Sequence, residues 1–186
     1  MMRSTELAHL ILGRTLKHGD WAVDATVGNG HDTLFLAQRV GPPGRVFGFD
    51  VQEAALASAS ERVLGLEQVT LFHAGHEHLA QRLPDEAKGR LAAVMFNLGY
   101  LPGGSHAIAT RTGTTLAGLD QALDRLQPGG LVTLVLYPGH PGGEEEAYAV
   151  RSHVERLPAA PYAATRHAQI NVAHPAPELL IIERRR

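Results

Sequence analysis

Residues 24–33 read DATVGNGHDT. Asp24 falls near the end of a short apolar run, WAVDAT (21–26), and Gly28 and Gly30 break the chain before HDTLFLAQRV (31–40) takes up a helical spacing of apolar residues. A strand that stops in a glycine-rich turn and hands over to a helix is the opening unit of a doubly wound α/β domain. The two glycines remove side chains where backbone must come close to a ligand, and the helix that follows aims free N–H groups at it.

The same alternation runs outward in both directions. Before the stretch, residues 4–17 space Leu7, Leu10, Ile11 and Leu16 as a leading helix, with Ser4 or Thr5 as N-cap and Gly19 past its end. After it come a strand RVFGFD (45–50), a helix EAALASASERVLG (53–65), a strand QVTLFHA (68–74), a short helix EHLAQRL (77–83) and a strand RLAAVMFNL (90–98). Thr114 to Leu126 suits a helix stopped by PGG, LVTLVLY (131–137) is the most buried-looking strand, and Glu144 to Leu157 is a helix with three acids in its first turn. Two closing strands lie near YAATRHAQIN and APELLIIER. The expectation is an α/β fold: one Rossmann-like domain over 1–186, a mostly parallel seven-stranded sheet with helices on both faces and an antiparallel edge at the end.

Composition agrees with one ordinary core. The chain has 186 residues, 44% hydrophobic and 19% charged, which is globular usage. No apolar run approaches the roughly 18 residues of a membrane span. The start carries Glu6 and His9 within its apolar part and makes a poor signal peptide, so a cytoplasmic location and no membrane partner are expected. With no cysteine there is no disulfide, thiolate metal site or cysteine nucleophile. A formal net charge of -2 argues against a protein that coats nucleic acid indiscriminately, although 15 of its 17 basic residues are arginine, the side chain suited to phosphate.

In a doubly wound sheet, ligands sit beyond the carboxyl ends of the strands where strand order reverses. The polar and glycine-rich segments fall there: DATVGNGHDT, then DVQ, AGHEH, NLGYLPGG and YPGHPGGEEE. Asp50, at the end of the second strand and about twenty residues beyond the glycine turn, stands where a carboxylate takes hydrogen bonds from ribose hydroxyls. A dinucleotide fingerprint would place a third small residue six positions from Gly28, and that position is Thr33. Asp32 would repel a pyrophosphate and attract an ammonium group. S-adenosyl-L-methionine, with an amino acid end, a sulfonium and no phosphate, fits better than NAD.

Asn97 and Tyr100 in NLGY resemble the Asp/Asn-Pro-Pro-Tyr motif of methyltransferases that modify amino nitrogens, with Leu98 and Gly99 where that motif has prolines. An attacking NH2 group must have its hydrogens held so that its lone pair faces the methyl group, and the Asn97 side-chain oxygen can do this. Tyr100 can stack on a planar base. An alkylamine must first lose a proton, which a low-dielectric pocket beside a sulfonium favours, and His140 or His106 could accept it. His73, His76 and His78 invite a metal, but alternating strand-end residues face different ways and no acid completes a site, so no metal is expected. His76 reads as a lining of the adenine pocket and His73 as a partly buried strand residue. Thr112, Thr114 and Thr115 read as helix caps, Arg111 as a solvated loop residue and the final ERRR as a frayed tail.

In order and spacing, DATVGNGHDT, GFDVQ, NLGYLPGG and YPGHPGGEEE resemble a small bacterial family of class I methyltransferases long labelled rRNA methylases. Its members are associated with methylating 5-aminomethyl-2-thiouridine at the tRNA wobble position to 5-methylaminomethyl-2-thiouridine. The resemblance implies that Gly28, Asn29, Gly30, His31, Asp32, Asp50, Gln52, Gly75 and His76 line S-adenosyl-L-methionine. It implies that Asn97, Tyr100, Tyr137 and His140 face the amine, and that the protein is a homodimer acting on the anticodon region of tRNA. Where the family often has an acid this chain has Ser105. The competing readings are an N-methyltransferase for another RNA or small-molecule amine, an NAD(P)-dependent oxidoreductase, and a non-catalytic S-adenosylmethionine sensor.

Overall fold

The computed structural model describes residues 2–99, 110–139 and 142–186. Seven strands form one sheet: β1 (Trp21–Asp24), β2 (Arg45–Asp50), β3 (Val69–His73), β4 (Leu91–Leu98), β5 (Leu126–Leu136), β6 (Tyr162–His167) and β7 (Glu178–Arg184). Among the described residues six helices accompany them: α1 (Ser4–Thr15), α2 (His31–Val40), α3 (Glu53–Arg62), α4 (Leu79–Arg82), α5 (Thr112–Arg125) and α6 (Gly143–Glu155), with short 3-10 turns at His76–His78 and Asp85–Ala87. Strand order is β3-β2-β1-β4-β5-β7-β6. All neighbours pair in parallel except β7, which runs antiparallel to both β5 and β6.

Right-handed crossovers decide which face each helix covers. The chain moves outward from β1 to β2 through α2 and in the opposite direction from β4 to β5 through α5, so these helices lie on opposite faces. Two cores result. Val23, Val94, Phe96, Leu98, Val132 and Leu134 pack with Leu119, Leu123 and Val150 of α5 and α6. Ala22, Ala93, Met95 and Val135 pack on the other side with Ala8 and Leu12 of α1 and Leu36 and Val40 of α2.

The alternation of a strand carries this division out to the rim. Asn97 continues the row of Ala93 and Met95, and Tyr137 follows Val135 in the row that meets α1 and α2. Strand order reverses between β1 and β4, and both residues sit beside that point.

Local details differ from the sequence expectations. Arg3, not Ser4 or Thr5, is the N-cap of α1, and its backbone amide and its Nε both donate to the Glu6 carboxylate. The fifth helix ends at Arg125, and β5 extends back through QPGG to Leu126. There the register against β4 slips between Leu91 and Ala93, and Gly129 takes the left-handed backbone, φ +81°, that the irregularity requires. The antiparallel ending is present, with β7 inserted between β5 and β6 rather than added outside them. His73 is exposed, its Nε2 3.0 Å from the Val51 carbonyl oxygen.

Candidate functional site

The loop after β1 is built by its own acids. Asp24 is fully buried and accepts hydrogen bonds from the Thr33 hydroxyl (2.6 Å) and the Thr26 amide (3.2 Å). Thr33 therefore ties the start of α2 to the end of β1, which is why this position is not a small packing residue. Burial, reinforced by the charge of Asp32, pushes the Asp24 carboxyl up to about 7. At the end of β2, Asp50 accepts from the Gly28 amide (2.8 Å) and the Gln52 amide (2.9 Å), clamping two rim loops on one carboxylate.

Gly28 and Gly30 have φ of +50° and +77°, a conformation that favours glycine. For Gly30 the reason for a missing side chain differs from the ligand approach expected above. A Cβ there would lie 2.8 Å from the Cα of Ala59, so Gly30 lets α3 close against the loop. Arg62 of α3 donates to the Asn29 carbonyl (2.6 Å), and His31 stands exposed at the first position of α2.

At the switch point a chain of contacts converges on Asn97. Its backbone amide donates to the Thr26 hydroxyl (2.7 Å). Its Nδ2 donates to Asp32 Oδ2 (2.7 Å), and its Oδ1 accepts from the Tyr137 hydroxyl (3.2 Å). Burial and the negative charge of Asp32 raise the Tyr137 phenol above its ordinary pKa, so it remains an O–H donor. Asp32, 8% exposed, accepts on its other oxygen from His9 Nε2 (2.6 Å). Three residues that the sequence assigns to the site, Asp32, Asn97 and Tyr137, are thus in direct contact. Tyr100 and His140, with Ser105 and His106, lie outside the described residues.

Gly75 and His76 are buried beneath the rim. Burial lowers the His76 pKa and keeps the ring neutral. Its Nδ1–H donates to the Ala25 carbonyl (3.0 Å), its ring meets Phe96 edge-on at 5.5 Å, and Nε2 has no hydrogen-bond partner among the described residues. Glu146, 4% exposed, accepts from the hydroxyls of Thr110 (2.6 Å) and Thr115 (2.7 Å). Thr115 is therefore an inter-helix tie, whereas Thr114 bonds its own turn at the Arg111 carbonyl. Among the described residues no group of three ligating side chains is placed to hold a metal ion.

The sequence reading missed His9. Its signal was its place in α1, next to buried Ala8 at the border of the apolar stripe, where a ring can reach across to α2.

This donor set suits a methyl donor better than a dinucleotide. Asp32 and Asp50 bring two carboxylates to the glycine loop that would oppose a pyrophosphate, and Asp32 lies beside the Asn97 amide. The sheet order, the glycine loop after β1, the acid ending β2 and the amide ending β4 together define a class I methyltransferase fold. More particularly, the chain belongs to the family described as "Putative rRNA methylase", whose model matches residues 46–183.

A structure of the same description from Clostridium thermocellum shares 39% identity, with a TM-score of 0.94 over 99% of this chain and 98% of that one. A "putative methyltransferase" from Streptococcus mutans, solved in complex with SAH, shares 33% identity, with a TM-score of 0.88 over 99% of both chains. The chloroplastic tRNA (mnm(5)s(2)U34)-methyltransferase of Arabidopsis thaliana is 38% identical over 91% of this chain, which spans 65% of that relative's length.

Proposed function

We propose that the protein is an S-adenosyl-L-methionine-dependent N-methyltransferase that converts 5-aminomethyl-(2-thio)uridine at the tRNA wobble position to 5-methylaminomethyl-(2-thio)uridine. The observation that carries this reading is the Asn97 amide, fixed between Asp32 and Tyr137 at the switch point of the sheet. The name of the Arabidopsis relative and the SAH in the Streptococcus structure support the substrate and the cofactor.

The cofactor, when bound, supplies a methyl group on a sulfonium that leaves as a neutral thioether. Asp50, held by the Gly28 and Gln52 amides, would accept hydrogen bonds from the ribose. Gly28, Asn29, Gly30, His31 and Gln52 form the adjoining walls, with Gly75 and His76 behind the adenine end. Asn97 Oδ1, already oriented by Tyr137, has a second lone pair that receives an N–H of the amine and turns its nitrogen lone pair toward the methyl group. The ammonium form of the substrate must release a proton first, and His140 and His106 are the candidate acceptors. In the motif that NLGY resembles, Tyr100 is the residue assigned to stack on the base. The working unit is a homodimer in the cytoplasm that grips the anticodon region of tRNA, arginines from both copies compensating for a nearly neutral subunit.

The test is to incubate the protein with S-adenosylmethionine and tRNA from cells lacking it, digest the RNA and weigh the nucleosides. Appearance of the N-methyl form of aminomethyl-thiouridine is expected. A protein that binds S-adenosylhomocysteine tightly but methylates no nucleoside would refute the RNA substrate, and one that takes up NAD(P) instead would refute the cofactor.

A further inference from the structure

We propose that His9, on the leading helix α1, is a positioning residue for methyl transfer: it holds Asp32, and Asp32 holds the Asn97 amide in the orientation that receives the substrate amine. This inference rests on the role given to Asn97 above.

An asparagine amide has nearly the same shape in both of its flipped forms, so its neighbours must decide which end is oxygen. Here two do. The Asp32 carboxylate oxygen accepts from the NH2 end, and the Tyr137 hydroxyl donates to the oxygen end. A flipped amide would set its oxygen against a carboxylate and its NH2 group against the incoming amine. The orientation therefore depends on Asp32 remaining in place as the acceptor of the Asn97 NH2 group.

A carboxyl group with so little exposure needs hydrogen-bond partners for its oxygens. One oxygen takes the Asn97 amide. The other takes His9 Nε2–H at 2.6 Å, the contact that completes the anchor. His9 is itself held. Its ring lies flat on Phe35, with centroids 4.0 Å apart and planes within 4°, and the Arg39 guanidinium stands 5.6 Å from the Phe35 ring. Ala8 and Leu12 seat the helix in the core, and the Ser4 hydroxyl donates to the Pro177 carbonyl at 3.0 Å. His9 acts through Asp32; among the described residues no hydrogen bond joins it directly to Asn97.

The alternative is that His9 only fastens α1 to α2. Two substitutions separate these roles. Gln presents an N–H at about the reach of imidazole Nε2 and can still donate to Asp32, whereas Phe keeps a ring to stack on Phe35 and donates nothing. In the full-length protein with tRNA lacking the modification, His9→Phe is expected to lower kcat about 30-fold to 100-fold, in keeping with a misplaced reacting group, with KM for the RNA within about threefold. His9→Gln is expected to recover kcat to within about fivefold of the wild type.

A second measurement needs no activity. In protein labelled with 15N-asparagine, the Asn97 side-chain NH2 signal is assigned by its loss in Asn97→Ala. It should be displaced and slow to exchange with water in the wild type and in His9→Gln, and should move to the free-amide position in His9→Phe. Wild-type kcat and an unmoved NH2 signal in His9→Phe would overturn the proposal. So would His9→Gln behaving no better than His9→Phe in both measurements. If the wild type methylates no RNA amine, the proposed substrate fails, and the NH2 signals alone decide whether His9 orients Asn97.

Discussion

Replacing Asp24 with Asn removes a titrating group from beneath the glycine-rich rim without changing its shape. The native carboxyl is fully buried and titrates at about 7, whereas the unfolded chain releases this proton near the ordinary 3.8. Between those values the native state holds a proton that the unfolded state has lost. The stabilisation is therefore complete below the unfolded value and disappears as pH rises through the folded one, at about 1.4 kcal/mol per pH unit. From about pH 5 to about pH 8 the loss from this one group comes to roughly 2.5 kcal/mol. Asparagine cannot ionise and can still serve Thr26 and Thr33, so its variant should lack that component. Urea unfolding followed by the fluorescence of Trp21, the only tryptophan in the sequence, measures both proteins across the range. The difference in stability between Asp24→Asn and wild type should shift in favour of the variant by roughly 2.5 kcal/mol over that interval. Parallel curves for the two proteins would refute the argument that burial and Asp32 keep this carboxyl protonated.

Asn97→Ala should lower kcat about 100-fold or more while changing the affinity for S-adenosylhomocysteine by less than about threefold, measured by steady-state transfer and calorimetry. Glu178 is 2% exposed and lies 2.5 Å from both Arg151 and Arg166, so Glu178→Gln leaves Arg166 without its carboxylate and Arg151 with only Glu144, 3.5 Å away. Arg166 can turn to water, which limits the expected cost to about 2–3 kcal/mol, seen as a fall in Tm. Gly30→Ala meets both a left-handed backbone and the Ala59 contact, and should cost about 1–3 kcal/mol while weakening cofactor binding, read by calorimetry and thermal unfolding.

Most of the fold could be read because its signals are local. Apolar spacing and turn residues identify each strand and helix, and Gly28, Gly30 and Asp50 mark the rim by their order along the chain. What escaped depends on contacts between distant segments. Nothing in APELLIIER states that this strand enters between β5 and β6, since a buried strand looks alike at either place. The true start of β5 was hidden because PGG ordinarily stops a helix, whereas here it accommodates a slip against β4. The resemblance puts Asn97 and Tyr137 together at the amine and Asp32 at the cofactor, with no contact foreseen among the three. Their meeting follows from strand alternation combined with crossover handedness, which puts the rows of Asn97 and Tyr137 on the face of α2. His9 escaped because a histidine on an amphipathic helix carries no mark of the carboxylate it will meet 23 residues later.

The position of β7 also bears on how the protein is made. Synthesis delivers β6 before β7, yet β6 reaches the sheet only through β7. Until residue 178 and its successors leave the ribosome, the outer edge of β5, the apolar row Leu131 to Leu136, has no partner, and β6 has no sheet to join. An unpaired apolar edge of this kind invites pairing with other chains. A nascent chain stopped short of β7 should therefore be a ward of chaperones rather than a smaller enzyme, and its last strand works as the keystone that is set after the arch is raised.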